Sequence, residues 1–403
     1  MTTILLLVIY LIFISLGLPD SLIGTTWPSI SQSLNVSEDY QGLITCTISL
    51  CTIISSFFSP YLIKKLKPSG TVTISIVLTV IGLVSLSFVP SFWFMLLAAI
   101  PLGLGGGAID VTLNNYVALH YKALHMNWLH SFWGVGTTIS PMILSLFLSD
   151  NNGWRTGALV LAGIQGIILI ISLACIPIWK KAEVIFAKRE ENNEENGENN
   201  DETIELTYKK TFALKGVWFA LFGFLAYTAV ESLTGMWFSS MVHFGLNVSE
   251  QDSTLWGSFF YLGITIGRFI SGIISLKVKE KNMIRIGESL ILIGIIFLFM
   301  TFNIKIMPFA VVLIGLGCAP VYPAIIKDTP NRFTKKYSQN VMGIQVSFAY
   351  ISNFLIAPLF GVVAKYTTFL ILPYCVLFFF IILVLGNEGI NLIGKKNKEL
   401  NIK

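Results

Sequence analysis

The sequence predicts an all-α membrane protein with twelve transmembrane helices in two parallel six-helix repeats. The first observation is composition: of 403 residues, 54% are hydrophobic and only 12% are charged, and the mean hydropathy is +0.74. Soluble domains carry about 25% charged residues, so this chain has too few charges to cover a water-soluble body. The second is length, because twelve crossings of about 20 residues need about 240 residues. The third is a sequence repeat between the two halves.

Twelve apolar runs are long enough, and carry few enough charges, to cross a membrane as helices. We name them span 1 to span 12, and they cover roughly residues 4–30, 41–63, 70–89, 92–119, 126–149, 155–179, 211–241, 252–276, 284–303, 306–326, 339–364 and 367–387. The chain thus divides into a first bundle (1–180), an acidic, Asn-rich linker (181–210), a second bundle (211–390) and a basic tail (391–403). Residues 188–203 are too polar to bury apolar surface, so we expect disorder there.

The lysines and arginines define the predicted topology. Of the 27 basic residues, only Arg155, Lys305 and Lys365 fall in the loops of one side, and Arg268 lies within a span. The other basic residues lie on the opposite side, which the positive-inside rule assigns to the cytoplasm. Both termini, the linker and the tail are therefore predicted to be cytoplasmic, in a multi-pass protein of a bacterial plasma membrane. The first run lacks a basic segment before it and exceeds signal-peptide length, so we expect it to stay as span 1.

Two classes of function are disfavoured by the sequence. The basic residues are spread over several loops rather than clustered with accessible aromatic residues, which argues against a nucleic-acid partner. No arrangement of nucleophile, base and oxyanion donors and no metal-ligand spacing is present. We therefore expect no enzyme activity, no catalytic residues, no metal and no cofactor. The five cysteines are scattered through apolar segments and are interpreted as packing residues.

An internal repeat relates the two bundles. Three motifs recur in the same order at an offset of 211 or 212 residues: D-S-L-I-G at Asp20 and E-S-L-T-G at Glu231, N-V-S-E at Asn35 and Asn247, and G-L-G at Gly103 and Gly315. Because six is an even number of crossings, both copies enter the membrane from the same side, as in two halves that move around a site near the midplane. N-V-S-E also matches a glycosylation pattern, but a helix start capped by Ser37 or Ser249 is the preferred interpretation.

Three acids lie deep within predicted spans, where ionised side chains are costly. They are Asp20 in span 1, Asp110 in span 4 and Glu231 in span 7, and glycines share a helix face with each of them. An ionised acid at the centre of a membrane helix costs about 2.5 to 3.5 kcal/mol on insertion scales. Because the neutral form is favoured there, proton binding and release can be coupled to movement. We predict that these acids couple transport to protons; the alternative is that each only joins helices.

Neutral polar and aromatic residues near these acids are candidates for solute contacts. His130 could titrate, donate to a solute or simply pack in the bundle, and tryptophans such as Trp27 could stack on a sugar ring or anchor the membrane interface. The predicted contacts are Trp27, Asn114, Asn127, His130, Tyr227, Tyr322, Gln345 and Asn353. Arg268 near the cytoplasmic end of span 8 could reach the interface or pair with Glu288 of span 9, as a gate or a structural pair.

These motifs resemble those of the major facilitator superfamily over essentially the whole chain. The segments 17–28, 103–114, 127–136 and 318–323 are similar to its fucose-permease-like branch of hexose:proton symporters. The resemblance implies two six-helix bundles, alternating access, a cavity lined by spans 1, 4, 7 and 10, and proton-driven uptake. It also implies essential roles for the positions matched by Asp20 and Asp110. The loop between spans 2 and 3 departs from the family, because it lacks the usual aspartate.

The leading hypothesis is a proton-coupled symporter of a small polar solute such as a sugar, acting in the lipid bilayer as a monomer. The first alternative is a proton antiporter that exports cationic or lipophilic compounds, for which Asp20 and Glu231 would bind the cation. Ser140-Pro141 stands where exporter antiporters carry a glycine-proline pair, and this difference makes export the less favoured hypothesis. A membrane sensor or scaffold without transport is the third possibility.

Overall fold

A computed structural model describes residues 2–121, 123–149, 152–195, 211–333 and 335–400. All twelve predicted spans are helical. Their observed bounds are Thr2–Leu34 for span 1, Gln41–Ser87 for spans 2 and 3 together, Phe92–His120 for span 4, Ala123–Ser145 for span 5 and Gly153–Ala174 for span 6. In the second bundle they are Val217–Gly245 for span 7, Glu250–Ile274 for span 8, Glu280–Leu298 for span 9, Met307–Arg332 for span 10, Val341–Tyr366 for span 11 and Leu372–Leu400 for span 12.

Within the described residues, ten helices are long and apolar enough to cross a membrane by length and composition. Spans 5 and 9 are helical at the predicted places but are not among these ten. Span 5 carries polar residues such as His130 and Thr137 that pack against other spans. Span 9 begins with Glu280, Lys281 and Arg285, which lie at the side that holds the basic loops. We call this side of the molecule the basic side.

Several spans are interrupted where the polar residues lie. Span 1 consists of the helices Thr2–Asp20 and Leu22–Leu34, which meet at Ser21, directly after Asp20. Spans 7 and 11 each contain one π-helical turn, Met241–Gly245 and Ser352–Ile356, a feature that frequently occurs at functional sites. Spans 2 and 3 are separated by Lys67, whose φ of 62° breaks the helix.

Helix contacts confirm the predicted repeat. A Cβ atom on Gly103 would lie 2.4 Å from the Ile48 carbonyl oxygen, and one on Gly315 would lie 2.2 Å from that of Phe260. Both residues of the second contact follow those of the first by 212 positions, so span 4 packs on span 2 as span 10 packs on span 8. The equivalent asparagines Asn35 and Asn247 also share a left-handed backbone, with φ of 50° and 56°. The two bundles are therefore copies of one architecture.

The predicted helix caps of the repeated N-V-S-E motif are only half confirmed. The Ser249 hydroxyl accepts a hydrogen bond from the Asp252 backbone N–H at 3.0 Å and caps span 8. The prediction is wrong for Ser37, whose side chain makes no capping hydrogen bond, because the chain there enters a short 3-10 turn instead of an α-helix.

A helix over Ile176–Glu195 follows span 6 and packs against the first bundle at the basic side. Trp179 and Phe186 are buried, and the Phe186 ring stacks on His120 of span 4 with ring centroids 4.3 Å apart. The Lys67 ammonium is 3.4 Å from the Glu183 carboxylate of this helix. The prediction of disorder is wrong for residues 188–195, because the docked helix continues through them. Residues 196–210 of the predicted linker lie outside the described residues.

Candidate functional site

The candidate site lies between the two bundles near the middle of the spans, and Asp20 is at its centre. The Trp133 indole N–H of span 5 donates to Asp20 Oδ2 at 2.7 Å, and the Asp20 side chain is exposed. Span 5 can approach so closely because its Gly136 meets Gly17 of span 1, where a Cβ atom on Gly136 would clash with the Ile14 carbonyl oxygen. Gly17, on the same helix face as Asp20, therefore allows spans 1 and 5 to pack closely. This close packing places Trp133 next to the acid.

Asp110 of span 4 is half-buried and is held by its own helix. The Asn114 side-chain amide donates to Asp110 Oδ1 at 2.8 Å. The amide oxygen of Asn114 is buried and has no hydrogen-bond partner within the described residues. No lysine or arginine in the described part of the chain forms an ion pair with Asp110. A single neutral amide is therefore the group that stabilises its negative charge among the described contacts.

Glu231 of span 7 faces a cation. The Arg268 Nη2 atom lies 3.9 Å from Glu231 Oε1, and the two side chains are 15% and 22% exposed. Arg268 Nη1 donates to the His130 carbonyl oxygen at 3.0 Å, and its guanidinium carbon lies 5.0 Å from the centroid of the Trp133 ring. Arg268 therefore joins span 8 of the second bundle to span 5 of the first.

The predicted pairing of Arg268 with Glu288 is wrong. Glu288 is buried between spans 9 and 12, where the Asn387 amide donates to its Oε1 atom at 2.8 Å. The face of span 8 that carries Arg268 points to spans 5 and 7, so the guanidinium meets Glu231 instead. Glu288 is a helix-packing residue of the second bundle and lies away from the site.

Four tyrosines interact electrostatically with the acids, and two of them, Tyr261 and Tyr350, were not predicted. Tyr322, at the repeat position of Asp110, interacts with Asp110 and Glu231, and Tyr227 interacts with Glu231. Tyr350 of span 11 interacts with Asp110, and Tyr261 of span 8 interacts with Asp20 and Glu231. Tyr261 lies seven residues before Arg268 on the same helix face, which is the sequence signal that could have identified it.

The predicted solute contacts are only partly assembled around the acids. His130 is half-buried, with its ring edge against Phe13, and Asn353 is half-buried in the π-helical turn of span 11. Asn114 and Tyr322 lie beside Asp110, as described above. The side chain of Asn127 lies outside the described part of the structure.

Three of the predicted contacts are buried within a bundle, where other protein groups bind their polar atoms. The Trp27 indole N–H donates to the Glu38 carbonyl oxygen at 2.7 Å, which satisfies it inside the first bundle. Tyr227 donates to the Cys318 carbonyl oxygen at 3.1 Å. Gln345 accepts a hydrogen bond from the Thr329 hydroxyl at 3.1 Å. In each case the polar group that we expected to contact a solute forms a hydrogen bond with another residue of its own bundle.

The two bundles are joined on the side opposite the basic side. The Thr254 hydroxyl of span 8 donates to the Thr25 carbonyl oxygen of span 1 at 2.9 Å. The Lys365 ammonium of span 11 lies 3.1 Å from the Asp39 carboxylate. Further contacts there are Ser29 with Glu250, Gln32 with His243, Gln41 with the Met236 carbonyl, and Cys46 with the Phe354 carbonyl.

Two pseudo-equivalent helical bundles around a charged site near the middle of the spans are the architecture of multi-pass transporters. Within the part of the chain the structure describes, no group of three or more His, Cys, Asp or Glu side chains could hold a metal ion. The chain belongs to the Major Facilitator Superfamily, whose sequence profile matches residues 9–357. It is accordingly a membrane transporter and not an enzyme.

Comparisons with individual proteins agree with this family. The chain is 21% identical over 355 residues to the glucose/mannose transporter GlcP of Bacillus subtilis, covering 87% of this chain and 86% of that one. It is 22% identical over 380 residues to Bypass of stop codon protein 6 of Saccharomyces cerevisiae, covering 88% and 76%. The crystal structure of a D-xylose-proton symporter superposes with a TM-score of 0.70 at 14% identity, covering 96% of each chain.

Proposed function

We propose that this transporter is a proton-coupled symporter of a small polar solute such as a sugar, and that it works by alternating access. The observation that carries the proposal is the grouping of Asp20, Asp110 and Glu231 at the bundle interface with a single arginine. Similarity to a glucose/mannose transporter and to a D-xylose-proton symporter supports a sugar and a proton as the transported pair.

The charge balance of the site favours Asp110 and Asp20 as the proton carriers. Glu231 has Arg268 beside it, so its ionised form is compensated. Asp110 has only the Asn114 amide, and Asp20 has only the Trp133 indole N–H, as charge-stabilising groups among the described contacts. The two aspartates also repel each other electrostatically. Binding of a proton to either one relieves this repulsion and lowers the cost of burying the site.

The accessible polar groups suit a hydroxyl-rich solute. Asn114 and Tyr322 provide neutral donors and acceptors beside Asp110, and His130 lies beside Arg268. A solute that engages both Asp110 in span 4 and Tyr322 in span 10 would contact both bundles at once, which is the geometric requirement for linking binding to their movement.

The topology predicted from the basic residues indicates which side of the protein faces which compartment. We propose that the basic side, with both termini, faces the cytoplasm of a bacterial cell and that the protein lies in the plasma membrane. The cross-bundle contacts of Thr254 with Thr25 and of Lys365 with Asp39 would then close the outer side. Solute release toward the cytoplasm would follow from this arrangement, and solute entry would require these outer contacts to separate.

Uptake into vesicles tests the proposal. The full chain is reconstituted into liposomes, an inwardly directed proton gradient is imposed, and entry of labelled D-glucose, D-mannose and D-xylose is measured. We expect gradient-driven accumulation of at least one of them that a protonophore abolishes. We expect Asp110→Asn to lose about 100-fold of the accumulation driven by a gradient of about two pH units, since each unit contributes about 1.4 kcal/mol when one proton is coupled.

A matched control separates coupling from misfolding. Glu388→Gln removes an acid of span 12 that is bound by Arg285, away from the site, and should keep the uptake of the unchanged protein. Uptake that persists both with the protonophore and in Asp110→Asn would contradict proton coupling. Absence of any sugar flux in the unchanged protein would contradict the sugar assignment.

Export of organic cations is the second candidate, and the excess of carboxylates in the site favours it. Three acids face one arginine, and Tyr261, Tyr322 and Tyr350 provide ring faces that attract cations. A thermal-shift screen of the purified protein against sugars and cationic dyes separates the candidates, since a bound ligand raises the melting temperature by mass action. Stabilisation by dyes alone would favour export.

A further inference from the structure

Trp133 contacts one charged residue of each bundle. Its indole N–H donates to Asp20 Oδ2 at 2.7 Å, along the edge of the ring. The guanidinium carbon of Arg268 lies over the face of the same ring, 5.0 Å from its centroid. Asp20 and Trp133 belong to the first bundle, whereas Arg268 belongs to the second. The indole therefore connects a carboxylate of one bundle to the cation of the other.

Arg268 is also held at a distance from its acid. Its Nη1 atom is bound by the His130 carbonyl oxygen of span 5 at 3.0 Å. Its Nη2 atom is 3.9 Å from Glu231, which is longer than a hydrogen bond. The carbonyl and the Trp133 ring thus keep the guanidinium beside the first bundle, and the ion pair within the second bundle is not at its closest approach.

We propose that Trp133 is a positioning residue that links the charge on Asp20 to the Arg268–Glu231 pair. An ionised Asp20 is a strong acceptor that fixes the indole, and the fixed ring holds Arg268 next to span 5. A protonated Asp20 is a weaker acceptor, so the indole is released and Arg268 can close on Glu231. A proton bound in the first bundle thereby changes a contact between the two bundles. This inference rests on the proposed proton coupling.

Other titratable and charged groups lie around this link. Asp110 of span 4 interacts electrostatically with Asp20, and Tyr261 of span 8 interacts with both Asp20 and Glu231. His130 of span 5 interacts electrostatically with Arg268. The link through Trp133 depends on one hydrogen-bond donor, the indole N–H. A substitution of Trp133 can therefore remove the link without altering any charge.

A fluorescence titration tests the link without any solute. Tryptophan emission of the purified full-length protein is followed from about pH 8 to about pH 4, a range that spans ordinary carboxyl titration. We expect a pH-dependent change in the unchanged protein and in the control Trp93→Phe, an exposed residue at the opposite end of span 4. The change should be absent in Trp133→Phe, and Asp20→Asn should hold the low-pH emission throughout. Absence of a change in the unchanged protein, or its persistence in Trp133→Phe, would overturn the inference.

Transport measurements separate a positioning role from a purely structural one. Trp133→Phe keeps a ring for Arg268 but lacks the N–H donor. Proton-driven accumulation of labelled sugar should fall about 10- to 100-fold, as for a lost hydrogen bond to a charged group. Sugar exchange at equal pH on both sides should change less than about threefold, because that hydrogen bond acts on the coupling to protons and not on solute binding.

A second variant guards against a folding defect. Trp133→His restores a ring N–H at this position and should recover part of the accumulation, with unchanged elution and melting temperature as the folding check. Equal loss of accumulation and exchange in Trp133→Phe would assign the ring to solute binding and overturn the inference, as would no loss of either. If the unchanged protein transports no sugar, the symport proposal fails while the fluorescence titration still decides the role of Trp133.

Discussion

The two bundles share one scaffold but differ in the charges that they bring to the interface. The Gly103 contact with Ile48 and the Gly315 contact with Phe260 are the same contact made twice, 212 residues apart. The first bundle supplies Asp20 and Asp110, neither of which forms an ion pair with a lysine or arginine among the described residues. The second supplies Glu231 together with Arg268, and Tyr322 in place of a second acid. Helix packing is therefore the same in both bundles. The proposed coupling site, in contrast, depends on positions where the two bundles carry different residues.

The largest expected effect comes from removing the cation of the second bundle. Arg268→Ala leaves Glu231 uncompensated, which should destabilise the protein by about 3 kcal/mol, as for other half-broken buried pairs. The matched change in the first bundle, Asp110→Asn, should leave stability unchanged or higher, because Asp110 has no cation to lose. Melting temperatures in detergent measure both.

The double variant Arg268→Gln with Glu231→Gln provides the control for this charge effect. Removing both charges should recover most of the stability lost in Arg268→Ala, since no unpaired carboxylate remains. Equal destabilisation by Asp110→Asn and Arg268→Ala would contradict the charge asymmetry between the bundles.

The shared scaffold gives a smaller effect that should be equal in the two bundles. A methyl group on Gly103 or Gly315 meets a backbone oxygen, so Gly103→Ala and Gly315→Ala should each cost about 1 to 3 kcal/mol through overpacking. Gly163 has no atom within 4 Å of an added Cβ, and Gly163→Ala should be neutral or stabilising by up to about 1 kcal/mol. Thermal melting is the measurement, and a large difference between the two contact glycines would contradict structural equivalence.

The smallest expected effect concerns the ion pair that joins the bundles at the side opposite the basic side. Lys365→Gln removes the contact with Asp39 and should change the rate of solute exchange about two- to fivefold, because partly exposed pairs are weak and screened by salt. Lys305→Gln, a basic residue of the same side, is the control. A change in solute affinity at an unchanged rate would argue that Lys365 contacts the solute.

Much of the fold follows from the sequence because membrane helices satisfy their own backbone and need only length and low charge. Spans 1 to 11, including spans 5 and 9, begin and end within several residues of the predicted bounds, whereas the helix of span 12 continues to Leu400, through most of the predicted tail. The offset of 212 residues predicted which glycines form equivalent contacts. The helix through Glu195 was missed, because its docking depends on burial of Trp179 and Phe186 against span 4, which composition alone does not reveal.

The site was less predictable, since sequence spacing gives a helix face but not the neighbour that the face meets. Asp20, Asp110 and Glu231 were recognised because a carboxylate within a span is costly wherever it points. Gln345 and Trp27 were predicted to meet a solute but are satisfied within their own bundle. Arg268 was given the wrong partner, because the choice between Glu288 and Glu231 depends on how span 8 is rotated against spans 5 and 7.

The contacts that join the bundles opposite the basic side have a kinetic consequence. Thr25, Asp39 and Gln41 bind partners in the second bundle without any solute present. In the proposed alternating-access cycle, an empty carrier must break all of these bonds before its site can face the opposite compartment again. Its return should therefore be slower than that of the loaded carrier, whose solute contributes new bonds during the movement. If the return of the empty carrier is the slow step, the rate of solute exchange should exceed the rate of net uptake.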